Sequence, residues 1–306
     1  MSIASNIEEM CQSMPPVRGK LLLGEPMSLH TSYKVGGPAD IFLIPADASD
    51  LEAVAKWAHE KSLPIFMIGA GTNLLVSDKG IRGLVVQLGP GFGGVHVRGT
   101  EVIAGAAVTL STLLRRTLGA GLSGLEGLAG IPGTVGGAVC MNAGTPTGCV
   151  KDTLVSVSAL TFDGQVREVP AADLGLRYRG SSVGECGLVV LEATFILRRE
   201  SPEGLRKIVA ALMSKRRQTQ PVGIRSAGSV FKNPEGGYAG RLLEEVGAKG
   251  MQIGGARVSS KHANFILNTG IATAQDIYDL MMRLKGLVKE RFGVELEPEI
   301  QLVGEW

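Results

Sequence analysis

Apolar residues recur along this chain at two different periods. Between Asp47 and Ser62 they fall at Leu51, Val54, Ala55 and Ala58, one face of a helix, with Asp47 placed to cap its first turn. On either side lie short apolar runs bounded by turn residues: Ala39 to Pro45 (ADIFLIP), Pro64 to Gly69 (PIFMIG) and Gly83 to Leu88 (GLVVQL). Such runs predict buried strands, so residues 39–88 read as a β-α-β-loop-β unit. A short helix ending at Pro15-Pro16 is predicted before it.

Beyond residue 88 the pattern changes. Val95 to Val97 and Glu101 to Ala106 predict short strands, and Leu110 to Leu118 a short helix. Leu154 to Phe162 and Gln165 to Val169 flank Asp163-Gly164, a dipeptide suited to a two-residue hairpin turn. Gly187 to Leu197 is one more strand. The composition then breaks at Arg198-Arg199-Glu200-Ser201-Pro202, where a domain boundary is expected. Glu203 to Arg217 follows as a helix, with Leu205, Ile208, Val209 and Leu212 on one face and Lys215, Arg216 and Arg217 at its C-terminus, where cations are favoured. A helix over Tyr238 to Val246, a strand over Ala263 to Leu267, a long amphipathic helix over Ala274 to Phe292 and a strand over Pro298 to Val303 complete the chain.

Composition narrows the class. The 306 residues are 44% hydrophobic and 20% charged, which supports a sizeable core and excludes a disordered chain. A formal charge of +2 is too small for a general nucleic-acid binder or a membrane-surface binder. Cys11, Cys140, Cys149 and Cys186 form no CxxC pair and no metal-ligand spacing with histidine, so no metal is expected and a reducing compartment is read. The first residues carry neither a basic nor an apolar targeting region, and no segment reads as a membrane span.

Glycine is the outlier: 43 residues, about twice the ordinary ~7%. Gly121, Gly124, Gly127, Gly130, Gly133 and Gly136 stand at a strict spacing of three, and Glu126 is the only charged residue from Thr117 to Val150. Leu122, Leu125, Leu128, Ile131, Val135 and Val139 lie among them, which is unlike a flexible linker, and the block lacks the proline-rich pattern of collagen. Glycines let main-chain N–H groups approach an anion closely, so the block reads as a phosphate cradle. Gly69-Ala70-Gly71-Thr72-Asn73, directly after a predicted strand, is a second such turn. It matches neither GxGxxG nor the Walker pattern. Two cradles in one domain suggest a long diphosphate ligand.

These residues also carry a resemblance. Gly127-Leu128-Ala129-Gly130-Ile131-Pro132-Gly133-Thr134-Val135-Gly136-Gly137-Ala138 followed by Asn142-Ala143-Gly144 resembles the FAD-binding signature of the PCMH (vanillyl-alcohol-oxidase-like) flavoproteins. Thr31 to Asp40 (TSYKVGGPAD), Gly69 to Ser77 (GAGTNLLVS), Tyr178-Arg179-Gly180-Ser181, Ala227 to Pro234 (AGSVFKNP) and Glu297-Pro298-Glu299 follow the order of the UDP-N-acetylenolpyruvoylglucosamine reductase family within that superfamily. The resemblance implies an α+β chain: an N-terminal helical segment over 1–19, a PCMH-type FAD-binding fold of two α/β lobes over 20–200 (about 20–88 and 89–200), and a C-terminal α+β substrate-binding domain over 204–306 whose last strand packs back on the FAD domain.

The resemblance further implies a cytoplasmic enzyme of peptidoglycan precursor synthesis, and so of cell-wall biogenesis, cell shape and cell division. It uses non-covalent FAD and takes NADPH and UDP-N-acetylglucosamine enolpyruvate at one shared site. Hydride passes from NADPH to FAD N5 and then to C3 of the enolpyruvyl ether. Hydride addition at C3 leaves negative charge on C2 and its carboxylate, so an acid and a cation are required. The family's proton donor falls on Ser229, and Arg179 suits the cation, since guanidinium stays charged and grips carboxylates. The family's active-site acid falls on Glu299. An ionised Glu299 would repel the substrate carboxylate, so it is expected to be protonated there or to act through Arg179 or a water.

For FAD the resemblance points to Gly69, Gly71, Thr72, Asn73, Leu74, Gly133, Thr134, Gly136, Gly137, Ala138 and Asn142, with Tyr33 and Val35 near the flavin or adenine. For the UDP-sugar it points to Tyr178, Arg217, Lys232 and Asn233. His262 and Asn264 either reach substrate or satisfy local backbone. The interval from Arg179 to Gln218 holds one strand and one helix, with no room for the insertion whose loop tyrosine closes over substrate in longer members. This matches the shorter type II form, with Tyr238 and Arg225 as substitutes for the clamp.

Two other readings stay open. Another PCMH flavoprotein, such as a sugar-lactone or alcohol oxidase, often tethers its flavin through His or Cys; Gly69 to Ser77 has neither, although Cys140 lies in the cradle. A nucleotide-binding regulatory module would need the cradles but not Arg179, Ser229 and Glu299 together.

Overall fold

The structure, a computed structural model, describes residues 10–161 and 164–306. Most of the predicted opening helix lies outside that range, as do Phe162 and Asp163 of the predicted hairpin. The chain forms two compact units with interleaved segments. The first takes the residues up to Leu23, Asp40–Ala70 and Gly83–Ser214; the second takes Gly24–Ala39, Gly71–Arg82 and Lys215–Trp306. Just past the expected break near residue 200 the chain enters one continuous helix, Pro202–Thr219, where a helix over Glu203 to Arg217 was expected, and the change of unit falls inside it.

In the first unit the helix Ala48–Glu60 forms where its spacing predicts. Asp47 accepts hydrogen bonds from Ser49 N and Asp50 N, and the helix buries Leu51, Val54, Ala55, Trp57 and Ala58. They pack with Ile41, Leu43, Leu84 and Val86 from the sheet. Each fully buried Leu, Ile or Val among them contributes about 1.5–3 kcal/mol. The sheet order is Lys20–Pro26, Pro38–Ile44, Ile81–Gln87, Ile65–Ile68, and the last two strands pair in parallel. Asp50, 5% exposed, closes this region: its carboxylate accepts from Arg18 N, Gly19 N, Ala46 N and Arg18 Nε. Burial pushes this carboxyl up, but the main-chain donors at 46, 18 and 19 and the Arg18 side chain outweigh it and hold it below the ordinary value.

The rest of the first unit is an antiparallel sheet in the order Val166–Pro170, Leu154–Thr161, Leu188–Ile196, Glu101–Gly105, Val95–Arg98. Val102, Ala104, Val157, Ala159, Ala193 and Phe195 point inward at period two and share one core with Leu113 and Leu114 of the helix Leu110–Gly119. Within the glycine block the chain forms the short helix Val135–Cys140, with Thr134 as N-cap.

The second unit is built on the helix Ala274–Phe292. Thr273 and Asp276 form a reciprocal capping box, and Gly293 ends the helix in the left-handed conformation at φ 68°. Asp78 adds a second cap, accepting from Ala274 N at 2.9 Å and Gln275 N at 3.0 Å. The buried face (Ile277, Leu280, Met281, Leu284, Val288) shares a core with Ala256, Val258 and Ile266 of the sheet Gln252–Ile253, Ala256–Val258, Ile266–Asn268. The strand expected over Ala263 to Leu267 begins only at Ile266, and the one expected over Pro298 to Val303 only at Gln301. That last strand, Gln301–Val303, pairs in parallel with Leu74–Val76.

Candidate active site

In the first unit the two glycine turns meet. A Cβ built on Gly69 would stand 2.6 Å from Thr134 Oγ1, so only glycine lets the turn after Ile65–Ile68 approach the cap of Val135–Cys140. Gln87 Nε2 fixes this turn by donating to Gly69 O at 2.9 Å. The first N–H groups of the short helix are engaged internally: Val135 N donates to Val108 O and Gly136 N to Ala106 O. The N–H groups of Ala70, Gly133 and Thr134 have no acceptor among the described residues. In the second unit Gly71 continues the turn at φ 61°, where a Cβ would strike His30 O, and the N–H groups of Gly71 and Asn73 likewise have no acceptor there. Unpaired main-chain donors at glycine turns are the donor set a diphosphate takes, so each of these turns by itself fits a diphosphate such as that of FAD.

Several residues read toward the cofactor are turned elsewhere. Tyr33 is 0% and Val35 4% exposed; both side chains sit in the second unit's core with Leu75, Ala227 and Phe231 and leave no surface for a flavin. Leu74 and Ala138 are also buried, one in the paired strand and one inside the short helix. Asn73 donates through Nδ2 to Glu299 O at 3.0 Å, while its own carbonyl accepts from Gln301 N at 2.9 Å. Asn142 points to the Arg177 main chain (Nδ2 to Arg177 O, 3.1 Å) and accepts from Lys151 N at 2.9 Å. Burial pushes the Cys140 thiol up to about 11, so it is a protonated thiol at neutral pH and a poor nucleophile toward a flavin.

Arg179 stands in a two-residue turn closed by paired bonds between Arg177 and Gly180, and its φ is 55°, the left-handed region that a side chain with a Cβ disfavours. Its Nη1 donates to Gly144 O at 2.7 Å, and its guanidinium lies 5.2 Å from the centre of the Tyr178 ring. Tyr178, expected on substrate, is thus a platform for Arg179, with 55% of its surface still open.

In the second unit Ser229 and Glu299 are brought together by a short antiparallel pairing. Glu299 N donates to Val230 O at 2.8 Å, Lys232 N donates to Glu297 O at 2.8 Å, and Phe231 faces Pro298. Ser229 follows Gly228, which sits at φ 85°, and its hydroxyl forms no hydrogen bond to the described residues. Asn264, 4% exposed, grips Phe231 at both ends, accepting from its N–H at 2.9 Å and donating to its carbonyl at 2.8 Å. His262 accepts from Asn264 N through Nδ1, and burial holds the ring below its ordinary pKa. Both therefore serve the local backbone.

Among the substrate candidates, Lys232 Nζ pairs with Glu297 at 2.7 Å and Asn233 Oδ1 accepts from Ala239 N, capping the helix Ala239–Glu245. Arg217 is exposed, and its carbonyl accepts from Lys261 Nζ. Tyr238 is 69% exposed.

Known proteins resemble this chain in sequence and fold. The family model for the UDP-N-acetylenolpyruvoylglucosamine reductase C-terminal domain matches residues 220–303, and an FAD binding domain model matches residues 39–170. UDP-N-acetylenolpyruvoylglucosamine reductases from Moorella thermoacetica and Desulforamulus reducens are 45% and 44% identical to the chain over 286 and 289 residues. The first match covers 94% of both proteins, the second 94% of this chain and 95% of the relative. The crystal structure of UDP-N-acetylenolpyruvylglucosamine reductase (MurB) from Thermus caldophilus superposes with a TM-score of 0.82 at 35% identity, covering 94% of this chain and all of that one. Phl p 4, a grass pollen allergen with glucose dehydrogenase activity, shares the fold at a TM-score of 0.51 and 16% identity over 64% of this chain and 44% of its own. With two relatives this similar over almost the whole length, the chain belongs to the UDP-N-acetylenolpyruvoylglucosamine reductase family.

Proposed function

We propose that the chain reduces the enolpyruvyl ether of UDP-N-acetylglucosamine to UDP-N-acetylmuramate in the cytoplasm, with Ser229, Arg179 and Glu299 carrying the chemistry. FAD, when bound, supplies the hydride it takes from NADPH to C3 of the ether. Ala70, Gly71, Asn73, Gly133 and Thr134 would hold it through main-chain donors, with the hydroxyls of Thr72 and Thr134, while Gly69 and Gly137 keep the approach open. NADPH and the UDP-sugar use one site in turn, and Arg217, Lys232 and Asn233 supply donors to the diphosphate of the sugar nucleotide.

Negative charge then develops on C2 and the adjoining carboxylate. Arg179 neutralises it, and Ser229 Oγ gives its proton to C2. A serine hydroxyl is an ordinarily weak acid, so its contribution depends on aim and on the nearby charge that the developing carbanion supplies. Glu299 orients the carboxylate end of the substrate.

The observation that supports this reading is the main-chain pairing of Val230, the neighbour of Ser229, with Glu299, in a segment that the family model covers. The test is anaerobic. NADPH should bleach the flavin bands of the holoenzyme, and the enolpyruvyl substrate alone should restore them. Recovery only with oxygen would replace the reductase by an oxidase.

A further inference from the structure

Three side-chain bonds, all within the first unit, join the end of the helix Val135–Cys140 to the turn that bears Arg179. Ser181 Oγ donates to Cys140 O at 2.7 Å, Asn142 Nδ2 donates to Arg177 O at 3.1 Å, and Arg179 Nη1 donates to Gly144 O at 2.7 Å. Asn142 is the middle tie and the most constrained. It is 6% exposed and itself left-handed at φ 41°; its amide oxygen is held by Lys151 N, which fixes which way the amide nitrogen points. Arg177 O therefore accepts two bonds, from Asn142 Nδ2 and from Gly180 N, the bond that closes the turn.

We infer that Asn142 is a positioning residue for Arg179, holding the strained turn at 177–180 so that the guanidinium stays aimed at the carboxylate of the enolpyruvyl group. The inference rests on the proposed role of Arg179. A left-handed arginine relaxes toward ordinary φ unless neighbouring bonds fix the turn at both ends. Gly144 O holds the tip of the side chain and Asn142 holds the base of the turn. An arginine held only at its tip would pivot, and displacement by about 1 Å from productive geometry can cost on the order of 100-fold in rate. The asparagine of the FAD signature thus acts on the second half-reaction rather than on cofactor affinity.

Two substitutions test this: one avoids backbone strain and the other keeps one of the two bonds. Asn142→Gly keeps the left-handed conformation and removes the amide; Asn142→Asp keeps the acceptor for Lys151 N and removes only the donor. Both are made in the holoenzyme and in an Arg179→Ala background, and FAD content is checked for each. Expected is a 10- to 100-fold slower reoxidation by the enolpyruvyl substrate at saturation. FAD affinity and the rate of reduction by NADPH should change less than about twofold, and the Asn142 substitution should have no further effect once Arg179 is alanine. Loss of FAD, equal slowing of both half-reactions, or full additivity with Arg179→Ala would overturn the inference. If Arg179→Ala itself leaves reoxidation untouched, the role of Arg179 falls and the positioning with it. If Arg179→Ala slows reoxidation while both Asn142 variants do not, the positioning alone falls.

Discussion

Two buried asparagines, one in each unit, grip main chain next to a residue of the proposed chemistry, and they do it against different resistance. Asn264 holds both polar groups of Phe231, two residues from Ser229, in an extended segment that pairs with Glu297–Glu299. Asn142 holds Arg177 O beside a turn in which Arg179 is left-handed. The hydroxyl is presented by unstrained backbone; the cation is presented by strained backbone. A short side chain can be aimed by an ordinary pairing, since its reach is fixed by the main chain. A long flexible guanidinium needs a bent chain, a contact at its tip and an aromatic ring beneath it.

The comparison breaks most sharply at Ser229. Ser229→Ala should slow reoxidation by the enolpyruvyl substrate by roughly 100- to 10,000-fold, the range of a lost general acid, with little change in reduction by NADPH. Stopped-flow traces of the two halves separate these; equal slowing would remove the proton-donor role. Asn264→Ala strips the bracket from unstrained backbone and leaves two buried groups of Phe231 unsatisfied, so it should cost about 3 kcal/mol in a urea denaturation series. A loss below 1 kcal/mol would mean that the pairing with Glu297–Glu299 stands alone.

A control lies away from the site. Asp50, held below its ordinary pKa, contributes stability that is complete above the unfolded carboxylate value of about 3.9 and fades as pH falls toward its lower folded value. Asp50→Asn should therefore flatten the acid limb of a stability-against-pH curve while lowering stability near neutrality. An unchanged acid limb would discard this assignment. The smallest effect is expected at Arg179 itself. Arg179→Gly loses the bond to Gly144 O but releases the left-handed strain, about 1–2 kcal/mol, so stability should change by less than about 1 kcal/mol although reoxidation is crippled. A loss of several kcal/mol would show that the arginine is structural.

Much of this was legible in the sequence where one local cause dominates. The helices Ala48–Glu60, Leu110–Gly119 and Ala274–Phe292 carry their spacing and their caps in consecutive residues, and they form as read. The strand Leu74–Val76 was hidden because its partner, Gln301–Val303, is far along the chain, and Lys20–Pro26 shows little alternation, with a mostly exposed pattern. The helix Val135–Cys140 was masked by glycines, which are poor helix formers; Thr134 and the carbonyls of Ala106 and Val108 sustain it. At the site, glycine turns and the order Arg179, Ser229, Glu299 could be read. The directions of Asn73, Asn142, Asn233 and Asn264 could not, because an amide serves ligand or backbone equally well and only packing decides which.

The parallel pairing of Gln301–Val303 with Leu74–Val76 has a consequence for synthesis. All segments of the first unit have been made once Ser214 leaves the ribosome. The segments Gly24–Ala39 and Gly71–Arg82 must then wait for Lys215 onward, and translation of the stretch between Arg82 and Lys215 takes on the order of ten seconds at about 5–20 residues per second. During that delay Leu75, Tyr33 and Val35 have no core to enter. Ribosome-bound chains stopped shortly after Lys215 should resist protease across the first unit and be cut within 24–39 and 71–82, which makes the second unit the client for chaperones during biogenesis.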